Sequence, residues 1–223
     1  MRTPVIRLID LGYDDGFGKA MTFAQSLLSS INVSGPRADI EYIRTSDWKL
    51  VARAFAVPAR LIHVMSHGYT TDDNEPAFGA VDEDGDIDSA RAIRLREIAA
   101  YLQRGGEGIE ANGVFADCCG SAQERFKAAL RDSLETEIVY IGASRSVDWH
   151  ECTTFASILY GSLLRAKGRG FDALDWVYTS AEMSVDAYSV AVDGRCPFKV
   201  TTLAPSRSAK KAFANAKRGM SLP

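Results

Sequence analysis

Ile62-His63-Val64-Met65-Ser66-His67-Gly68 is an apolar run that ends in a His-Gly pair, and Val114-Phe115-Ala116-Asp117-Cys118-Cys119-Gly120-Ser121 is a second that ends in cysteine. Each reads as a buried parallel strand that delivers a reactive side chain at its C-terminal end. Open parallel sheets gather ligands and chemistry at that end. A thiol and an imidazole that meet there form a nucleophile with its base.

Working outward, strand-like and helix-like segments alternate. Residues 5–10, 40–44, 61–66, 114–117, 138–142 and 198–203 read as strands. Residues 19–31 have helical spacing, with Met21, Ala24, Leu27, Leu28 and Ile31 on one face. Residues 47–55 form a short helix stopped by Pro58. Residues 95–102 form another that ends at Gly105-Gly106. Residues 122–134, 152–166 and 173–185 complete the helices. Residues 78–81 and Ile87 flank Asp84-Gly85, which reads as a hairpin turn. The alternation predicts one α/β domain over residues 1–205, with a mostly parallel sheet and helices on both faces.

Residues 206–223 form a basic tail, in which Arg207, Lys210, Lys211, Lys217 and Arg218 occur without an acid. It reads as a solvated terminal helix or a frayed end, with a docking segment for an acidic partner as the alternative.

Composition narrows the classes. With 46% hydrophobic and 25% charged residues, the 223-residue chain can bury a substantial core. A net charge of -3 gives no general pull toward nucleic acid. No apolar stretch approaches the roughly 20 residues that cross a membrane. The N-terminal apolar run is broken by Arg7 and Asp10, so no signal peptide is expected. Cys118, Cys119, Cys152 and Cys196 show no CxxC spacing, which fits a reducing cytoplasm. Three histidines (His63, His67 and His150) do not suggest a His-rich metal site.

Free cysteine is often only a small buried hydrophobe. Two features set Cys119 apart. Ser121-Ala122-Gln123-Glu124 matches a capping box, so a helix is expected to start just after the thiol and favour its thiolate. Strand alternation puts Phe115, Asp117 and Cys119 on one side, with Ala116 and Cys118 on the other. Asp117 is then the acidic neighbour of Cys119, and Cys118 a packing residue. His63 reads as a satisfied core residue. His67, at the strand end before Gly68, is either a turn histidine or the partner of Cys119. Backbone N–H groups of Gly68 and Cys119 would suit an oxyanion.

At these residues the sequence resembles the caspase-like cysteine peptidases, a group that includes caspases, metacaspases, separase and bacterial CHAT-domain proteases. Ser66-His67-Gly68 looks like the family's His-Gly element. Asp117-Cys118-Cys119-Gly120-Ser121 looks like its second element, which is Asp-x-Cys-His-Ser-Gly in metacaspases. His67 and Cys119 are 52 positions apart, against roughly 50 in caspases. The hairpin falls where the family has one. The surroundings of Ala143 and the helix with Phe155 and Tyr160 look closest to the CHAT proteases. The resemblance spans roughly residues 3–205 and implies a caspase-like three-layer sandwich.

It also implies a cysteine endopeptidase. His67 would act as base and acid, Cys119 as nucleophile through a thioester, and Gly68 and Cys119 as oxyanion donors, with no cofactor. Asp117 stands where metacaspases keep an S1 acid. Asp14 and Asp15 stand where caspases keep an S1 arginine. An acidic pocket implies cleavage after Arg or Lys rather than Asp. By analogy the setting is cytoplasmic bacterial defence or cell death, with a protein or peptide substrate, a candidate activating partner protein, and neither nucleic acid nor membrane.

The family pattern is not complete. Gly-Ser-Ala follows the cysteine where metacaspases have His-Ser-Gly, and no processing linker is evident. A catalytically silent caspase-like scaffold is the alternative. A nucleotide-binding regulator is disfavoured, because Gly12-Tyr13-Asp14-Asp15-Gly16-Phe17-Gly18-Lys19-Ala20 has one residue too many for a phosphate loop and no Ser/Thr after the lysine. The stretch 82–88 lacks the glycine and Glu placement of a calcium loop. His150 with Cys152 is too sparse for zinc.

Overall fold

The computed structural model describes residues 3–13, 15–34, 38–70, 75–79, 88, 90–165 and 172–220. The expected S1 candidate Asp14, the Asp84-Gly85 turn and its flanks Val81 and Ile87 lie outside them.

The strands are β1 (Val5–Asp10), β2 (Asp39–Arg44), β3 (Ala59–Met65), β4 (His67–Thr70), β5 (Pro76–Gly79), β6 (Ile93–Arg94), β7 (Ala111–Asp117), β8 (Ile138–Ala143) and β9 (Phe198–Leu203). The α-helices are α1 (Asp15–Ile31), α2 (Trp48–Phe55), α3 (Leu95–Gly105), α4 (Glu124–Arg131), α5 (Trp149–Arg165), α6 (Ala173–Ala191) and α7 (Arg207–Met220). The central sheet has the order β2-β1-β3-β7-β8-β9. All its pairs are parallel except that of β8 with β9. The α/β reading of the sequence holds, as a three-layer sandwich.

Alternation along the strands sorts the core into two slabs. Leu61, Met65 and Phe115 pack with α1, α5 and α6, through residues such as Met21, Phe155 and Val177. Ile62, Val64, Val114, Ala116 and Cys118 pack with α2, α3 and α4, through Phe55, Ile98 and Phe126. Each large apolar side chain removed from water contributes roughly 1.5–3 kcal/mol.

Local signals explain the element ends. Asp47 caps α2, its carboxylate accepting from the Lys49 N–H at 2.8 Å. Buried Arg7 closes the other end of that helix, donating to the carbonyls of Ala54 (2.8 Å) and Val57 (2.7 Å) and pairing with Glu41 at 2.7 Å. A cation at a helix C-terminus satisfies orphan carbonyls and complements the dipole. Gly106, at φ 68°, ends α3 in the left-handed region.

Some boundaries differ from expectation. α1 starts at Asp15 rather than residue 19, because Phe17 is buried in the core. α6 runs to Ala191, its start capped by Asp172. The tail forms α7, which lies against α3 and buries Ala209 and Phe213. Phe78 does join a strand, but within a separate antiparallel sheet of order β4-β5-β6, opposite Gly68 on one side and Ile93 on the other.

Candidate active site

β3 and β7 are adjacent and parallel, with Met65 opposite Asp117. The Ser66 N–H donates to the Asp117 carbonyl at 3.3 Å, carrying the ladder to the point where both chains turn. His67 then opens β4, and Cys119 follows the end of β7. The two turns touch. A methyl group on Gly68 would fall 1.8 Å from the Cys119 carbonyl oxygen and 2.7 Å from its nitrogen. Gly68 is thus fixed by closeness of approach, not by an unusual φ. His67 and Cys119, both half-buried, line one cleft of about 80 Å³.

Aromatic groups wall that cleft. The ring of Phe17 meets His67 edge-on, with centroids 4.7 Å apart, and Trp149 lies against Phe17 at 4.4 Å. The Cys119 Sγ accepts from the Val147 N–H at 3.4 Å and lies 3.7 Å from the Val147 carbonyl oxygen. Among the described residues, the Cys119 N–H donates no hydrogen bond.

The turn that carries Cys119 corrects one expectation. Ser121 does not cap α4, which starts at Glu124 after Gln123 with no side-chain cap. The buried Ser121 hydroxyl instead donates to the Ala116 carbonyl and accepts from the Ala143 N–H, both at 2.8 Å. Gly120 adopts φ 69°, and its N–H donates to the Arg145 carbonyl at 3.2 Å. The turn that carries Cys119 is therefore anchored to β7 and to the end of β8. The N-terminus of α4 does not adjoin the thiol to favour its thiolate, because α4 starts five residues beyond Cys119.

The two neighbouring cysteines separate as alternation predicts. Cys118 is buried on the opposite face, and burial pushes its thiol well above the ordinary range. It is a packing residue. Cys152, the first apolar residue of the predicted fifth helix, lines the cleft; burial, followed by the charge of Asp117, pushes its thiol up. It stays a neutral S–H beside that carboxylate.

Asp117 is buried and lines the same cleft. Its Oδ2 lies 3.3 Å from His63 Nε2, while Oδ1 has no hydrogen-bond partner among the described residues. His63 is the satisfied core residue expected from its place in the strand: its Nδ1 meets the Tyr160 hydroxyl. Asp15 is elsewhere. It is exposed, reaches Arg44 at 3.8 Å, and borders a different hollow with Lys19 and Thr22. Sequence reading missed Phe17, Val147, Trp149 and Cys152 as cleft walls. Val147, Trp149 and Cys152 are interspersed with Asp148, His150 and Glu151, and no sequence pattern there tells which way they face.

No helix among the described residues is long and apolar enough to cross a membrane. No protein-family model matches the sequence, and a search of curated proteins finds no match. Among solved structures, the fold is similar to a secreted C11 cysteine protease from Bacteroides thetaiotaomicron, iotapain. The TM-score is 0.50 at 13% identity, over 80% of this chain and 62% of that one. It also matches the Arg-specific cysteine proteinase gingipain R, with a TM-score of 0.47 at 10% identity, over 86% of this chain and 45% of that one. The chain thus spans roughly half to three-fifths of the chains it resembles. At these identities the likeness is one of fold, the caspase-like α/β sandwich.

Proposed function

We propose that this chain is a cysteine peptidase working through His67 and Cys119. The observation that carries the reading is the contact of the Gly68 and Cys119 backbones, which brings an imidazole and a thiol to one cleft at the C-terminal edge of a parallel sheet. His67 takes the thiol proton and later gives one to the leaving amine. Cys119 Sγ attacks the scissile carbonyl and forms a thioester, which water hydrolyses. The N–H groups of Gly68 and Cys119 are the proposed oxyanion donors.

The acid in the cleft is Asp117, and its free oxygen favours a cationic residue at P1. Asp15, facing Arg44, has no part in this pocket. Cleavage is therefore proposed after Arg or Lys. The Asp-x-Cys element supports a metacaspase-like specificity within a CHAT-like domain. A protein substrate, an activating partner and a role in bacterial defence follow only by family analogy. Four free cysteines support a reducing, cytoplasmic setting.

A fluorogenic panel with Arg, Lys, Gln and Asp at P1 tests the proposal. Turnover of the Arg and Lys peptides is expected, with a loss of at least about 10³-fold in Cys119→Ala. Comparable turnover by Cys119→Ala would overturn the mechanism, and a preference for Asp would overturn the specificity.

A further inference from the structure

Behind the cleft lies a chain of buried polar groups that peptide chemistry at Cys119 does not itself require. Tyr160 on α5 meets His63 Nδ1, and His63 Nε2 meets Asp117 Oδ2 at 3.3 Å. The side chains of His63 and Asp117 are both fully buried, and Tyr160 is buried with them. The His63 ring is stacked on Phe115, with centroids 4.3 Å apart and planes 18° apart, so its plane is set independently of either hydrogen bond.

Donor and acceptor roles follow from chemistry. An ionised carboxylate only accepts, so Nε2 carries the proton and gives it to Oδ2. Nδ1 is then the acceptor, and the Tyr160 O–H is its donor. Burial and the charge of Asp117 push the Tyr160 hydroxyl well above its ordinary range, so it remains a donor. One carboxylate oxygen is occupied from behind. The other, Oδ1, is left buried and unsatisfied at the wall of the cleft. A buried carboxylate oxygen without a partner is costly unless something arrives to pair with it.

We infer that Tyr160 and His63 are positioning residues for Asp117: a buried relay from α5 through β3 to β7 holds one oxygen so that the other meets a cationic P1 group. The inference rests on the proposed role of Asp117 in P1 selection. Loss of the Tyr160 hydroxyl leaves the Nδ1 lone pair without a donor. The ring then keeps only its stacking on Phe115 and its Nε2–H contact to Oδ2, and Asp117 is held less firmly in its orientation. Electron pairs and protons stay within the chain, and no bond between heavy atoms is made or broken.

The test compares P1-Arg with the isosteric, uncharged P1-citrulline peptide in wild type, Tyr160→Phe, His63→Phe and Asp117→Asn. Alkylation of Cys119 by iodoacetamide is followed in parallel, because it senses the nucleophile and not P1. Tyr160→Phe is expected to lower the Arg-to-citrulline selectivity about tenfold, mainly through KM, with alkylation unchanged. His63→Phe keeps an aromatic ring for stacking on Phe115 but removes both ring nitrogens, and should bring selectivity down to that of Asp117→Asn. Wild-type selectivity in both variants, with selectivity lost in Asp117→Asn, overturns the relay and leaves the P1 assignment standing. Selectivity retained in Asp117→Asn overturns the P1 assignment itself. A parallel fall in alkylation and in both peptides would reduce the chain to a structural role and also overturn the inference. Should His63→Phe fail to fold, Tyr160→Phe, which removes a single oxygen, carries the test alone.

Discussion

On the face of the sheet covered by α1, α5 and α6, the C-terminal parts of β1, β3 and β7 carry Asp10, His63 and Asp117, all buried. On the face covered by α2, α3 and α4, the same strands carry Ile9, Ile62, Val64, Val114 and Ala116. Arg7 is the buried charge of that second face, and it is consumed by Glu41 and the end of α2. Charges on the first face are arranged differently. Asp10 is satisfied by the Gly12 N–H and the Tyr42 hydroxyl, each at 2.8 Å, whereas Asp117 has one buried oxygen without a hydrogen-bond partner among the described residues. At these strand ends the second slab is apolar, whereas the first carries two carboxylates and an imidazole among its packed side chains. Desolvated polar groups are tolerated only where they are paired or where function retains them.

Substitutions can break or sharpen that contrast. The largest effect is expected at Gly68, where the two slabs' strand ends converge on the site. Gly68→Ala drives a methyl group into the Cys119 carbonyl. It should abolish labelling of Cys119 by an arginyl chloromethyl ketone and lower stability by about 3 kcal/mol, read from urea denaturation. Labelling at the wild-type rate would mean that the two turns are not joined as described.

Arg7→Met tests the second slab. Two carbonyls at the end of α2 lose their donor, so a loss of about 2–3 kcal/mol is expected, with peptide turnover unchanged wherever the variant is folded. A smaller effect separates the neighbouring thiols. Cys118→Ala should cost about 1–2 kcal/mol and leave turnover within about twofold, because the sulfur is packed against the apolar slab. Cys119→Ala should show the reverse. Asp47→Ala gives the smallest change, about 1 kcal/mol from the lost cap of α2, again without effect on turnover. Equal activity losses from Arg7→Met and Gly68→Ala would erase the division between the slabs.

Much of this arrangement was legible in the chain. Alternation within β3 and β7 placed Asp117 with Cys119 and set Cys118 apart, because a strand's period of two leaves little freedom. Apolar runs located every strand of the central sheet to within a few residues. What escaped was long-range. The Ser121 hydroxyl has a helix-capping spacing, yet Ala143, 22 positions away, competes for it and wins. His63 was legible as buried, but its partner Tyr160 is 97 positions distant. Phe17 and Trp149 carry no motif, since a cleft wall needs only bulk and direction. The pairing of Phe78 with Gly68 and Ile93 was hidden because short strands next to turns have weak periodicity.

The Ser121 hydroxyl has a further consequence for the proposed peptidase cycle. One oxygen splints the end of β7 to the end of β8 immediately behind Cys119. An acylated sulfur would then have little backbone recoil available to it. Attack, acylation and release would be accommodated by rotation of the cysteine side chain and by adjustment of the opposite wall, the stretch from half-buried Val147 to exposed Trp149. Substrate tolerance would be set by that wall, while Cys119 would return to the same place after each turnover.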